Sequence, residues 1–133
     1  MYRFVEHTAD IAFEVEAESL EELFIDAANA FYEAFCNRDL VKEEEERRLE
    51  LEEEDVEHLL YSWLNEILFL FDAEHFAAKR VEVSVENNSL KARLIGGKIT
   101  PEAVKLEPKA ITMHKFRVER KDGKFYAFVI IDI

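Results

Sequence analysis

The run "VEHLLYSWLNEILFLFDAEHF", residues 56–76, constrains this chain more than any other stretch. Leu59, Leu60, Trp63, Leu64, Ile67, Leu68 and Phe71 recur at helical spacing and form a stripe too broad to leave in water. Asp55, just ahead, is the residue type that caps a helix N-terminus. Such a helix needs a large apolar surface to pack on. A second helix supplies part of it, over "SLEELFIDAANAFYEAFC". Ser19 with Glu22 three residues later fits a capping box, and Leu20, Leu23, Phe24, Ala27, Phe31 and Phe35 share one face.

Strands must supply the rest. In "IAFEVEA", Ile11, Phe13, Val15 and Ala17 alternate with Ala12, Glu14 and Glu16, the period of a strand with one buried face. "RRLELE" repeats the pattern with Leu49 and Leu51 inward, so the first half reads strand–helix–strand–helix. Later, "KRVEVSVEN" and "LKARLIG" flank the turn residues "NNS" as a hairpin, and "KAITMHKFRVER" and "KFYAFVIIDI" flank Asp122-Gly123 as another. Residues 96–108, "GGKITPEAVKLEP", read as a connection. The expected fold is α+β: one domain over residues 1–133, two amphipathic helices packed on a mostly antiparallel sheet.

At 133 residues the chain is long enough for a core without staples, and its single cysteine, Cys36, reads as packed. No apolar run approaches the ~20 residues of a membrane span, and "MYRFVEHTAD" lacks the features of a signal peptide, so the expected location is cytoplasmic. The net charge of −13 is unevenly spread: residues 1–75 carry 23 acids against 5 Lys and Arg, residues 76–133 carry 7 against 12. Ten acids fall between Glu43 and Glu57, where a solvated connection is expected. An acidic half repels phosphate backbones and favours a basic protein partner. No stable direct binding to nucleic acid is expected, and monomer is the default state.

Catalytic signatures are missing: the chain has no Gly-rich phosphate loop, paired cysteines, G-x-S-x-G elbow or H-E-x-x-H. Gly96-Gly97 is too little for a nucleotide loop. His58 and His75 fall on or at the end of the second helix and His114 in a strand, all with ordinary structural readings. "KFYAFVII" partly matches the strand that stacks bases in RNA-recognition modules, with Tyr126, Ala127, Phe128 and Val129 in order. Phe125 and Ile131 break that match, and alternating aromatics in a strand are usually core.

The two ends of the chain carry the chemistry. "VEHTADIAFEVEA" crowds Glu6, His7, Thr8 and Asp10 ahead of a strand, and the last residues are Asp132 and Ile133 with its carboxylate. Negative groups this close are unfavourable unless water, a cation or a basic side chain neutralises them. If Asp10 lies beside this end, oxygen-only ligation suits Ca²⁺, Mg²⁺ or Mn²⁺ rather than zinc. His7 then orients a carboxylate or simply caps the turn.

"EHTADI", "SLEELFIDAANAFY", "LLYSWLNEILFLFD", "KAITMH" and a terminal "DI", in that order and over essentially the whole chain, resemble the archease family. The resemblance implies a small α+β fold and a non-catalytic activator of the tRNA-splicing RNA ligase RtcB, promoting guanylylation of the ligase and its multiple turnover. A chaperone-like modulator of another RNA-processing enzyme, such as a tRNA methyltransferase, is the alternative. A metal-dependent hydrolase on Asp10 and Asp132, or an RNA-binding module on the late strands, stands behind both. The resemblance also implies a divalent metal, Ca²⁺ ahead of Mg²⁺ or Mn²⁺. Its ligands would be Asp10, Asp132 and Ile133, the last through main-chain or terminal oxygens. Glu6 and His7 would support the site, and Lys109, ahead of "AIT", would balance the acids or face the partner. The chain departs from the family pattern at Ala12, Ala17, Ser62, Asn65, Thr100 and Val104.

Overall fold

The computed structural model describes residues 1–7 and 9–133; Thr8 lies outside the described residues. Eight strands and two α-helices occur among them: β1 (Tyr2–Val5), β2 (Asp10–Ala17), α1 (Leu20–Phe35), β3 (Glu45–Glu52), α2 (Val56–Asp72), β4 (Phe76–Glu86), β5 (Ser89–Lys98), β6 (Ala110–Ile111), β7 (Arg117–Lys121) and β8 (Lys124–Asp132). Short 3-10 turns fall at Arg38–Leu40 and Pro101–Ala103.

Both helix starts form as their sequences dictate. The Glu22 amide donates to Ser19 Oγ at 3.1 Å, while the Glu22 carboxylate accepts from the Glu18 amide at 3.2 Å. Asp55 Oδ1 accepts from the His58 amide at 2.8 Å. The two helices pack on two antiparallel sheets rather than on the single sheet expected. One sheet runs β1-β2-β8-β6, with β7 also paired to β8, and the other runs β3-β5-β4. The acidic run is not a loose connection, because β3 takes Glu45–Glu52 into the second sheet, with Leu49 and Leu51 packed against the core. Gly96 and Gly97, expected in a connection, belong to β5. The expected strand through "KAITMHKFRVER" breaks into β6 and β7, and His114 sits in the turn between them. β1 was not expected; it pairs with β2 from Tyr2↔Val15 to Val5↔Ala12. Both hairpin turns hold, with positive φ at Asn87, Asn88, Asp122 and Gly123.

Core residues from both helices and both sheets are contiguous, with Trp63, Tyr32, Phe13, Phe24, Phe31 and Phe35 the largest wholly buried side chains, and Cys36 buried as expected. Trp63 Nε1–H donates to the Phe24 carbonyl at 2.9 Å, tying the helices together through a bond that satisfies the buried indole. Helix α2 is fixed along β7 and β6 by two polar contacts. The Glu57 carboxylate accepts from the Val118 amide at 2.9 Å, and the Tyr61 hydroxyl donates to the Ile111 carbonyl at 3.2 Å. That fit sets β6, and with it the start of the β6–β8 ladder, against one end of the helix layer. No described helix is long and apolar enough to cross a membrane.

Candidate functional site

Residue Asp10 opens β2 and Asp132 closes β8, and the antiparallel ladder makes them register partners. Directly opposed residues project to the same face, with Cβ atoms about 4.5–5.5 Å apart. That face is the outer one. Phe13, Val15 and Ala17 turn inward to the helices, so Asp10, Ala12, Glu14 and Glu16 turn out. The next pair along this face is Ala12↔Ile130, both 1 % exposed, so one flank of the acid pair is dry. On its other side Asp132 is opposed by Ala110 of β6, whose methyl leaves that flank open.

Opposed like charges raise the energy of a ladder, and the second sheet shows how this is relieved. There Arg48 faces Arg93, but the Glu46 carboxylate touches both guanidinium groups, one at 3.3 Å and the other more closely. Asp10 and Asp132 have no such bridging cation among the described residues. His7 comes nearest: its Nδ1 lies 3.4 Å from Asp10 Oδ2 and is shut off from solvent without forming an aligned hydrogen bond. This imidazole is a counter-charge only when protonated.

The remaining candidates fall around this pair. Lys109 is held by its main chain, the amide donating to the Asp132 carbonyl at 2.8 Å, while its side chain is exposed. Ile133 follows Asp132 and is 38 % exposed. Glu6 is exposed and makes no hydrogen bond or ion pair among the described residues. Ala9, between His7 and Asp10, has φ +64°, a left-handed conformation costing a non-glycine residue about 1 kcal/mol. Thus Asp10, Asp132, Ile133, His7 and the Lys109 main chain converge, and Glu6 does not join them. Nothing along a single strand points to Ala110, Ala12 or Ile130 at the site, because cross-strand register is non-local.

The donor set suits a hard cation: two carboxylates on one face, and further oxygens on Ile133. A neighbouring imidazole that can hydrogen-bond a carboxylate is the usual support for such ligands. The tightest group of three potential ligand side chains among the described residues lies elsewhere, at Glu54, Asp55 and His58. There Asp55 is engaged as a helix cap. The His58 amide and ring hold its carboxyl below the ordinary range, and the same contact raises the His58 imidazole above its usual value.

Tyr126 and Phe128 are not core, contrary to the usual pattern. They lie half-buried on the outer face, opposite Glu16 and Glu14. Arg117 stacks on Phe128 at 5.2 Å, but the basic groups here already have carboxylate partners: Arg3 with Glu14, Lys124 with Glu16 and Arg117 with Glu119.

This two-helix, two-sheet arrangement occurs in known proteins. The solution structure of Methanobacterium thermoautotrophicum protein 1598 superposes with a TM-score of 0.84 at 35% identity, over 99% of this chain and 98% of that one. The crystal structure of a Thermotoga maritima archease, described as a possible chaperone, gives 0.69 at 29% identity over 97% and 94%. "Protein archease" of Archaeoglobus fulgidus is 57% identical over 99% of this chain and 98% of that protein, and its Pyrococcus abyssi counterpart 39% over 96% and 95%. The sequence profile of the Archease protein family (MTH1598/TM1083) matches residues 2–133. The chain belongs to the archease family.

Proposed function

We propose that this chain is a non-catalytic activator of the tRNA-splicing RNA ligase RtcB, working by contact and carrying a divalent cation at Asp10, Asp132 and the oxygens of Ile133. Ca²⁺ is the first candidate, with Mg²⁺ or Mn²⁺ next. The observation that carries this reading is the Asp10↔Asp132 register pair, an unbridged like-charge pair at the meeting of β2, β6 and β8.

When bound, the cation would neutralise the two carboxylates and tie the start of β2 to the end of β8. The chain's own groups do the rest. His7 stands against Asp10 and limits the orientations of its carboxylate. The Lys109 amide fixes the main chain of Asp132, and its exposed ammonium is free to meet a phosphate-bearing partner site. The description of the related Thermotoga maritima protein as a possible chaperone supports a helper rather than a hydrolase. A net charge of −13 favours a basic protein surface over RNA as the partner.

The test is guanylylation of a cognate RtcB ligase by GTP and a divalent metal, with substoichiometric amounts of this protein and of a folded Asp10→Ala variant. Faster guanylylation by the wild type, lost in the variant, is expected. No effect on a competent ligase would overturn the reading and leave the chaperone-like alternative.

A further inference from the structure

The C-terminal end of α2 breaks several rules of helix stability in one place. Phe69 is 53 % exposed in the last turn of an otherwise well-buried helix. The last helical residue is Asp72, and no basic residue occupies the last turn, although the carbonyl end of a helix carries partial negative charge and favours cations. Glu74 is compensated by Arg47 at 3.5 Å, but Glu66 and Asp72 have no basic side chain within ion-pair distance among the described residues. Sites where local stability rules fail together are where function is expected to draw on them.

Beside this end lies a hollow of about 620 Å³ between α2 and the segment that follows β5. Its apolar lining comes from Phe71, Ile99, Val104 and Pro108. Its charged lining is Asp72 and Glu107 against Lys98, with His75 beside them, so carboxylates outnumber the lysine by one. At 100° per residue, Asp72 falls between Phe69 and Phe71 around the helix, so exposed ring, carboxylate and hollow are contiguous.

We propose that this surface docks an arginine-bearing segment of a basic protein partner, with an apolar residue in the hollow and a guanidinium at Phe69 and Asp72. Charge complementarity selects this occupant. An aromatic face, a free carboxylate and the carbonyl end of a helix all attract a planar cation, and the guanidinium alone can stack and bond bidentately at once. Pro108, in the wall of the hollow, precedes Lys109, whose amide holds Asp132. A segment seated here therefore touches the same stretch of chain that positions the acid pair. The identity of the partner as the ligase rests on the function proposed above; the docking surface does not.

Calorimetric titration of the ligase with wild type, Phe69→Asp, Asp72→Lys and Asp10→Ala tests it. Both side chains changed on α2 are exposed, and circular dichroism checks each fold. Phe69→Asp and Asp72→Lys are expected to raise Kd about tenfold or more, as loss of a central anchor does. Asp10→Ala should lose guanylylation even at concentrations that saturate the ligase. Unchanged binding by Phe69→Asp would overturn the docking surface and leave the activator reading standing. If the ligase does not bind the wild type, that reading fails, and the surface is decided by an NMR titration with acetyl-Arg-Leu-Arg-amide. Salt-sensitive shifts at Phe69, Asp72 and Ile99 would support it, and none there would overturn it. A wild-type dimer broken by Phe69→Asp would also overturn it, making a second copy the occupant.

Discussion

Asp10 and Asp132 face each other across the β2–β8 ladder, whereas the following outer-face acids in the same ladder, Glu14 and Glu16, face Phe128 and Tyr126. One acid–acid pair thus stands where its neighbours avoid that arrangement. Removing one charge should help a cation-free protein. In chelator, Asp132→Asn is expected to be as stable as the wild type or more so, by up to about 1 kcal/mol, in urea denaturation. Adding Ca²⁺ should reverse the order, because only the native wild type gains binding energy. A loss of stability in chelator would mean that the pair is bridged within the protein.

The β4–β5 ladder leaves no room at Gly96. A Cβ there would lie 1.9 Å from the Ala77 carbonyl oxygen and 2.7 Å from Ala78 Cα, both backbone atoms that cannot move aside alone. Gly96→Ala should cost about 3 kcal/mol or more, read as a lower denaturation midpoint. A neutral substitution would place β4 and β5 further apart than described.

Tyr32 is wholly buried, and its hydroxyl makes no well-aligned hydrogen bond among the described residues; burial raises the phenol's pKa far above its ordinary value, and the nearby Ala78 main chain offsets only part of that rise. An unsatisfied buried hydroxyl costs free energy that phenylalanine does not pay. Tyr32→Phe should therefore be neutral or stabilising by up to about 1 kcal/mol. A clear destabilisation would show that the hydroxyl is bonded.

The cap of α2 has a defined pH window. The hydrogen bond from Asp55 raises the His58 pKa, so this contribution is full below the unfolded value and fades as pH rises through the folded one. The Asp55 pKa is lowered, chiefly by the His58 amide, so its contribution is full above the unfolded value and fades as pH falls through the folded one. The pair is strongest between roughly pH 4 and 6.5, the ordinary values of the two groups. NMR titration should find His58 above its ordinary value, and Asp55→Asn should lower it. Titration at the ordinary value in the wild type would show the contact to be absent in solution.

Periodicity made both helices legible, since Trp63 and Phe31 belong to stripes that only a helix can align, and caps at Ser19 and Asp55 marked their starts. It could not divide the strands between two sheets, because Val83 in β4 and Val129 in β8 alternate alike whichever neighbour they pair with. Gly96-Gly97 looked like punctuation but serves close strand packing, a property of the partner strand. Leu49 and Leu51 declared the strand in "RRLELE"; that β3 also takes in Glu45 and Glu46, out of what read as a solvated run, depends on their pairing with Gly96 and Ile95 of β5. At the site, Asp10 and Asp132 were legible as chemistry and by family resemblance. Their placement opposite each other, the dry Ala12–Ile130 flank and the open side at Ala110 follow from register, which is non-local. The outward turn of Tyr126 and Phe128 has the same origin: the side of β8 that faces the helices is set by Ala127 and Val129.

The most direct measurement is a calorimetric titration of the metal-free protein with Ca²⁺, alongside Asp10→Asn, Asp132→Asn and, as a control at the other acidic group, Asp55→Asn. One site is expected in the wild type and in Asp55→Asn, and none in Asp10→Asn or Asp132→Asn. Wild-type affinity in both acid-pair variants, or loss of binding only in Asp55→Asn, would contradict a cation site across β2 and β8.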